Sequence, residues 1–328
     1  MVLIVSQKAD LSTCEVMDWV RHFNHQCIRI NVDEDSLKSL HFDIQDLENM
    51  VLYFEGETIK LEDVKGYWYR RGGIPKYYQK NDTLPEFFNT SQIKSKVYQH
   101  LKSEDHSLNV FLHYVFENGE NKVLGNKKTA DICKLVQLDK AVKAGLKVPK
   151  SIVTSEKKYL KKFKEAQGEI ITKGVQEVIL TQDDDNRYFG YTEGVSDQVI
   201  DTLPNHFFPS FFQEKIEKQY ELRVFYLNGV CYSMAIFSQN DQQTETDFRK
   251  YNRDKENRRI PYQLPDDITE KVHTLMQSLK LHTGSLDLIY SVDNEYVYLE
   301  VNPVGQFGMV SDPCNYQLEK KIAEYLIS

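Results

Sequence analysis

Residues 285 to 307 read "SLDLIYSVDNEYVYLEVNPVGQF", two apolar, alternating runs that meet at Asp293-Asn294. Alternation of this kind marks strands with one buried face. Closed as a hairpin on that turn, Leu286 faces Val301, Leu288 faces Leu299 and Tyr290 faces Val297, which makes one apolar face suited to a core. On the other face Asp287 lies opposite Glu300, and Asn302 follows two residues along. Like charges placed opposite each other destabilise a sheet unless something neutralises them. Pro303 and Gly305 then end the strand. Hard oxygen donors of this kind suit Mg²⁺, which takes one or two carboxylates and completes its shell with water and phosphate oxygens. Two such ions about 3.5–4 Å apart recur in phosphoryl chemistry. The alternative is a carboxylate pair on a solvated sheet face.

The rest of the chain supplies a mixed α/β setting. "VLIVS", a helix with Val16, Trp19, Val20 and Phe23 at helical intervals, and "QCIRIN" form a βαβ-like opening, with Ser12 and Glu15 at capping-box spacing. No G-x-G-x-x-G separates that strand from its helix, so a dinucleotide site there is unsupported. "VLYFEGETIKL" reads as a hairpin around Glu55-Gly56, "GYWYRR" as a strand, and a helix is expected from near Pro85. A new unit is expected at Asn126, with Thr129 capping a helix whose apolar positions are Ile132, Leu135, Val136 and Val142, stopped by Gly145 and Pro149. "EIITKGV", "QEVILTQ" and "RYFGYTEGV" read as strands, with Asp183 to Asp185 as a solvated turn. "ELRVFYLNGVCYSMAI" is a hairpin with the type I′ signal Asn228-Gly229. "DFRKYNRDKENRRIP" is a basic loop, and "DDITEKVHTLMQSLKL" an amphipathic helix.

Bulk properties narrow the function classes. The chain has 328 residues, 41% hydrophobic and 27% charged, the balance of a globular protein with a real core. The net charge of -8 speaks against general nucleic-acid binding. No apolar run reaches the length of a membrane span, and "MVLIVSQKAD" turns polar too soon for a signal peptide. Five scattered cysteines without C-x-x-C point to reduced thiols in a cytoplasmic setting rather than to zinc or a disulfide framework. The nine histidines show no metal spacing.

Other polar residues stand where a cleft would need them. Lys173 ends an apolar strand, where a lysine can hold a phosphate as a point charge, and Lys134 lies in the helix after Asn126. Taken alone, each reads more readily as an exposed surface lysine. Period two puts Glu221, Arg223 and Phe225 on one face of a strand and Leu222, Val224 and Tyr226 on the other, so charge faces a cleft or, alternatively, solvent. Six cations cluster in the basic loop, of which Arg249 and Arg258 are candidates for an anion site.

In this order the pieces resemble the ATP-grasp superfamily: a lysine in a helix ending G-L-x-V-P, a strand-end lysine, a Q-E-x-I hinge, E-x-R, then D…E-x-N. The resemblance covers residues 126 to 307. It implies that Lys134 and Lys173 are the two ATP-binding lysines and that Glu214, Lys215 and Ile216 form the hinge at the adenine edge. It also implies that Glu221 is the ribose-binding acid, Arg223 the phosphate-side arginine, and Asp287, Glu300 and Asn302 the magnesium ligands. The implied fold is α/β, two α+β subdomains clasping ATP behind a βαβ-type domain. The expected division is 1–125 for that first domain, 126–212 for the lid and 213–328 for the subdomain with the metal site.

Within the superfamily, the βαβ-like start, "GYWYRRGGI", "DFRKYN" and "LEVNPVGQF" resemble the graspetide peptide maturases, such as the microviridin and plesiocin cyclases, and most of all the grasp-with-spasm branch. One departure is the single glycine of "TKGVQEVI", where many ATP-grasp ligases have a glycine-rich loop. This resemblance implies an ADP-forming ligase that uses ATP and Mg²⁺, as two ions. Its substrate would be a ribosomally made precursor with a leader and an acidic, hydroxyl-rich core. Asp or Glu side chains would become acyl phosphates and be joined to Ser/Thr as esters or to Lys as amides, with Arg223 and Arg249 in catalytic roles. No nucleic acid or membrane is involved, and the resemblance is compatible with a homodimer. Two rivals remain: a ligase adding amino acids to a peptide tail, and a nucleotide-gated peptide binder without chemistry.

Overall fold

Strand β1 (Val2–Ser6) is buried at all five positions, which its run of branched apolar residues allows only in the middle of a covered sheet. The computed structural model describes residues 1–74, 91–119, 121–176, 180–182, 187–189, 192–237 and 257–328. These fall into two compact units, one of Met1–Asp131, Gln306–Ser311 and Gln317–Ser328, the other of Ile132–Gly305 and Asp312–Tyr316.

In the first unit β1 is followed by α1 (Leu11–His22) and β2 (Cys27–Asn31). The antiparallel meander β3 (Leu37–Asp43), β4 (Asp46–Phe54) and β5 (Thr58–Lys60) comes next, then β6 (Gly66–Tyr69), α2 (Ser91–Asn118) and β7 (Lys122–Leu124). The parallel sheet runs β2-β1-β6-β7, so the βαβ opening is present. Strand β3 has no counterpart in the sequence reading, because its polar residues Lys38, Ser39, His41 and Asp43 mask the alternation. The capping box does not form. Asp10 caps α1 instead, accepting from the Thr13 N–H at 3.3 Å, and Ser12 donates to it at 2.6 Å. The same carboxylate pairs with Arg70 at 3.3 Å and Arg71 at 3.0 Å, tying the end of β6 to the start of α1. The helix expected from Pro85 is α2; its expected start lies outside the described residues.

The second unit opens with α3 (Lys134–Lys143), β8 (Ser151–Glu156), α4 (Lys157–Gln167) and β9 (Ile170–Thr172). The hairpin β10 (Leu180–Gln182) and β11 (Arg187–Phe189) follows, then β12 (Glu193–Gly194), α5 (Asp197–Thr202) and β13 (His206–Glu214). Sheet β12-β9-β13-β8 packs Ile170 and Phe212 against Leu160 of α4 and Ile200 of α5. The acidic turn Asp183 to Asp185 lies outside the described residues.

The last large sheet has the order β16-β15-β14-β17-β18, from β14 (Lys218–Leu227), β15 (Val230–Phe237), β16 (Arg258–Tyr262), β17 (Thr283–Ser291) and β18 (Tyr296–Asn302). Between β16 and β17 lies α6 (Asp266–Ser278); α7 (Gly308–Cys314) and α8 (Leu318–Ile327) close the chain, α8 packing on α1. Asn228 and Gly229 both have positive φ, as the type I′ turn requires. Part of the expected basic loop is strand: Arg258 stands on β16, exposed and beside the Phe237 ring at 5.8 Å. One face of this sheet carries Leu222, Val224, Tyr226, Leu286, Leu288, Tyr298 and Val301, covered by Leu138 and Ala141 of α3 and by Val272, Leu275 and Met276 of α6.

Helix α3 differs from the sequence expectation. It starts at Lys134 behind Cys133, not at a Thr129 cap. Its buried positions are Gln137, Leu138 and Ala141, whereas Leu135, Val136 and Val142 are exposed. The buried side packs Leu138 and Ala141 into the core and also bonds to β18 through Gln137. All five cysteines are free thiols. No described helix is long and apolar enough to cross a membrane.

Candidate functional site

The face of the sheet opposite that core gathers charge in one row. Arg223 on β14 pairs in register with Asp287 on β17, and Asp287 pairs with Glu300 on β18. The expected neighbours Asp287 and Glu300 are therefore side by side. Among the described residues, Arg223 forms an ion pair with Asp287, and Lys134 reaches Glu300 at 2.8 Å. All four side chains are sheltered, between 13% and 29% exposed. In such partial shelter charges attract more strongly than in open water. Lys134 also donates to the Gly174 carbonyl at 3.3 Å, which brings the end of β9 and its half-buried Lys173 to the same place.

The hairpin register changes beyond this row. After Asp287 the pairing slips by one: Leu288 faces Tyr298, Ile289 faces Val297 and Tyr290 faces Tyr296. Leu299 is the extra residue of a β-bulge, so the expected Leu288–Leu299 and Tyr290–Val297 pairs do not form. Asn302 pairs with Ser285, is exposed, and accepts from the Val304 N–H at 3.1 Å. The break at Gly305 has a steric cause: a Cβ there would lie 2.3 Å from the Ser285 Cβ. Only glycine lets the chain fold back over β17, one row from Asp287.

The remaining expected residues lie along the path into β14. Glu214 ends β13 and accepts from the Lys150 N–H at 2.7 Å. Lys215 pairs with Glu169 at 2.8 Å, and Ile216 is half-buried in the connection to β14. Glu221 forms an ion pair with Lys218, both nearly buried, a partner absent from the sequence reading. Arg249 lies outside the described residues. The structure thus joins Lys134, Arg223, Asp287 and Glu300 directly, while Glu214 and Lys215 face other partners.

A second omission is Gln137. It is 4% exposed, one helical turn beyond Lys134, and bonds to the strand that carries Glu300. A polar residue within an apolar helical run was the available signal.

The donor set fits a hard divalent cation. It offers two adjacent carboxylates and a nearby carboxamide, all oxygen. Among the described residues no group of three His, Cys, Asp or Glu comes together, so a thiolate or imidazole metal has no counterpart set there.

No family model matches the sequence, and no curated protein matches it. Solved structures do. A Chryseobacterium gregarium RiPP-associated ATP-grasp ligase, in complex with ADP and a leader and core peptide, is 25% identical, with a TM-score of 0.80 over 99% of this chain and 96% of that one. The macrocyclase MdnC from Microcystis aeruginosa, bound with precursor peptide MdnA, is 25% identical, with a TM-score of 0.75 over 100% and 99%. The ATP-grasp ligase PsnB, complexed with a phosphomimetic variant of its minimal precursor, Mg and ADP, shares the fold at 16% identity, with a TM-score of 0.71 over 99% and 97%. The fold is that of the ATP-grasp ligases. Within that class the chain is similar over nearly its whole length to a RiPP-associated ligase and to a macrocyclase bound with its precursor peptide.

Proposed function

We propose that this protein is an ADP-forming ATP-grasp ligase that closes rings in a ribosomally made precursor peptide. The observation that carries the reading is the row Arg223–Asp287–Glu300 with Lys134 over it, set in a chain that matches RiPP-associated ligases over nearly its whole length. ATP and Mg²⁺ are the nucleotide and metal, as supported by ADP and Mg in the neighbouring structures.

In this reading Asp287, Glu300 and Asn302 hold magnesium, as two ions, whose charge offsets that of the phosphates. Lys134, Lys173 and Arg223 bind phosphate oxygens, Glu221 the ribose, and Glu214 to Ile216 the adenine edge. A peptide Asp or Glu carboxylate attacks the γ-phosphorus. The bond to the β-phosphate bridge breaks, ADP leaves and an acyl phosphate remains. A Ser or Thr hydroxyl, or a Lys amine, then attacks the acyl carbon; phosphate leaves and the nucleophile's proton passes to solvent. The protein supplies charge and position rather than a nucleophile. Arg249 holds the incoming carboxylate by a two-pronged contact. A leader segment docking elsewhere raises the local concentration of the core. The same reading divides the chain at 126 and 213, places it in the cytoplasm, and has two copies associate.

Intact mass spectrometry tests it. The protein is incubated with candidate leader-plus-acidic-core peptides, ATP and Mg²⁺. The expected result is successive losses of about 18 Da, one water per bond of acyl transfer, abolished in Glu300→Ala. Mass gains would mean tail ligation instead. Full peptide binding with no product and no ADP would mean a binding protein.

A further inference from the structure

Two N–H groups of β18 bond outside the sheet. Tyr298 donates to the Lys147 carbonyl at 2.8 Å, and Val301 donates to Gln137 Oε1 at 2.9 Å. In a regular strand the groups that point to one side recur every second residue. Here they are three apart, the spacing that the extra residue at the register shift creates. The side chains follow the same rule. Tyr298 and Val301 both enter the core, and Glu300 between them faces Asp287 and Lys134. Without the bulge, Tyr298 and Glu300 would share a face. Bulges of this kind re-aim side chains beside functional sites.

We propose that Gln137 is a positioning residue that locks this bulge and thereby sets Glu300 against Lys134 and Asp287. The inference rests on the ligase reading above. Gln137 Nε2 donates to the Ile132 carbonyl at 2.9 Å, while Oε1 accepts from the Val301 N–H and, at 3.3 Å, from the Tyr298 hydroxyl. Both oxygen lone pairs are used, and the Val301 donor fixes which end of the amide is oxygen. Gln137 lies three residues after Lys134 on one helix, and such positions share a face. One amide therefore ties the helix that aims Lys134 to the strand that aims Glu300. Lys147 holds the other side of the bulge through its backbone, which no side-chain change removes.

Calorimetric binding of ADP, with and without magnesium, tests this in wild type and in Gln137→Met, which keeps the side chain's length and removes its polar atoms. A thermal melt confirms that the variant folds. The expected result is metal-free ADP binding like that of wild type, with apparent magnesium affinity lowered about 10- to 100-fold, as for outer groups that orient ligands. Unchanged magnesium affinity in the folded variant overturns the proposal and leaves the ligase reading standing. A wild type that binds no ADP, or gains nothing from magnesium, overturns the reading and the proposal with it. Should Gln137→Met fail to fold, Gln137→Asn takes its place; its amide is too short to span Ile132 and Val301, and the same two outcomes apply.

Discussion

Arg223 and Asp287 are cross-strand partners on β14 and β17, and their side chains close an ion pair within the charged row of the sheet. Both are mostly sheltered, at 13% and 21% exposed, so the pair is worth more than a surface bridge. A double-mutant cycle of Arg223→Gln and Asp287→Asn, read by urea unfolding, is expected to give a coupling of about 1–2 kcal/mol. A coupling near zero would mean that the two side chains are apart in solution.

Glu300 meets Lys134, and its cross-strand neighbour is a second carboxylate. Glu300→Gln keeps the shape and removes the charge that the proposed metal needs. ADP formation with a peptide that the wild type modifies should fall about 100- to 1,000-fold, with the melting profile little changed. Near-normal turnover in this variant would remove Glu300 from the metal site.

Gly305 has no room for a side chain. An added Cβ would meet the Ser285 Cβ at 2.3 Å and its hydroxyl oxygen at 2.4 Å. Gly305→Ala is expected to destabilise the fold by about 1–3 kcal/mol, the usual cost of overpacking. Because Ser285 stands one row from Asp287, activity should fall as well, when measured on the fraction that remains folded. Chemical unfolding with a parallel activity assay checks both.

His113 is 1% exposed and its Nδ1 lies 2.5 Å from the Tyr67 hydroxyl. Burial, then the charge of Lys127, lowers its pKa to about 3. The unfolded chain binds a proton near pH 6.5 and the folded chain does not, so stability is lost as pH falls between those limits. The advantage of wild type over His113→Gln should shrink by about 1.4 kcal/mol per pH unit between about pH 6 and 5. Urea unfolding at the two pH values measures it. An advantage that grows on acidification would contradict the assignment.

The Asp287–Glu300 pairing was legible from the alternation, but the pairs expected next to the turn do not form: that end of the hairpin is one residue out of step, and the bulge at Leu299 restores the register at Glu300. The bulge itself was not legible. Val297, Tyr298 and Leu299 are all apolar, so either register satisfies the core pattern. The order of lysines, hinge and acids carried the fold. Helix α3 was misread as well: its apolar Leu135, Val136 and Val142 are exposed, while Leu138 and Ala141 enter the core and Gln137 beside them accepts from the Val301 N–H. Contacts such as Lys134 to Glu300 join residues distant in the chain and leave no local pattern. Asp10 displaced the expected Ser12 cap because its carboxylate also serves Arg70 and Arg71, which a local motif does not record.

In the proposed reaction ATP activates a carboxylate of the peptide. Following heavy oxygen from labelled Asp and Glu side chains of a modified peptide tests it most directly. The acyl phosphate route predicts one labelled oxygen in the released phosphate for each bond closed, with one ADP formed alongside. Bonds closed with unlabelled phosphate, or without ADP, would contradict it.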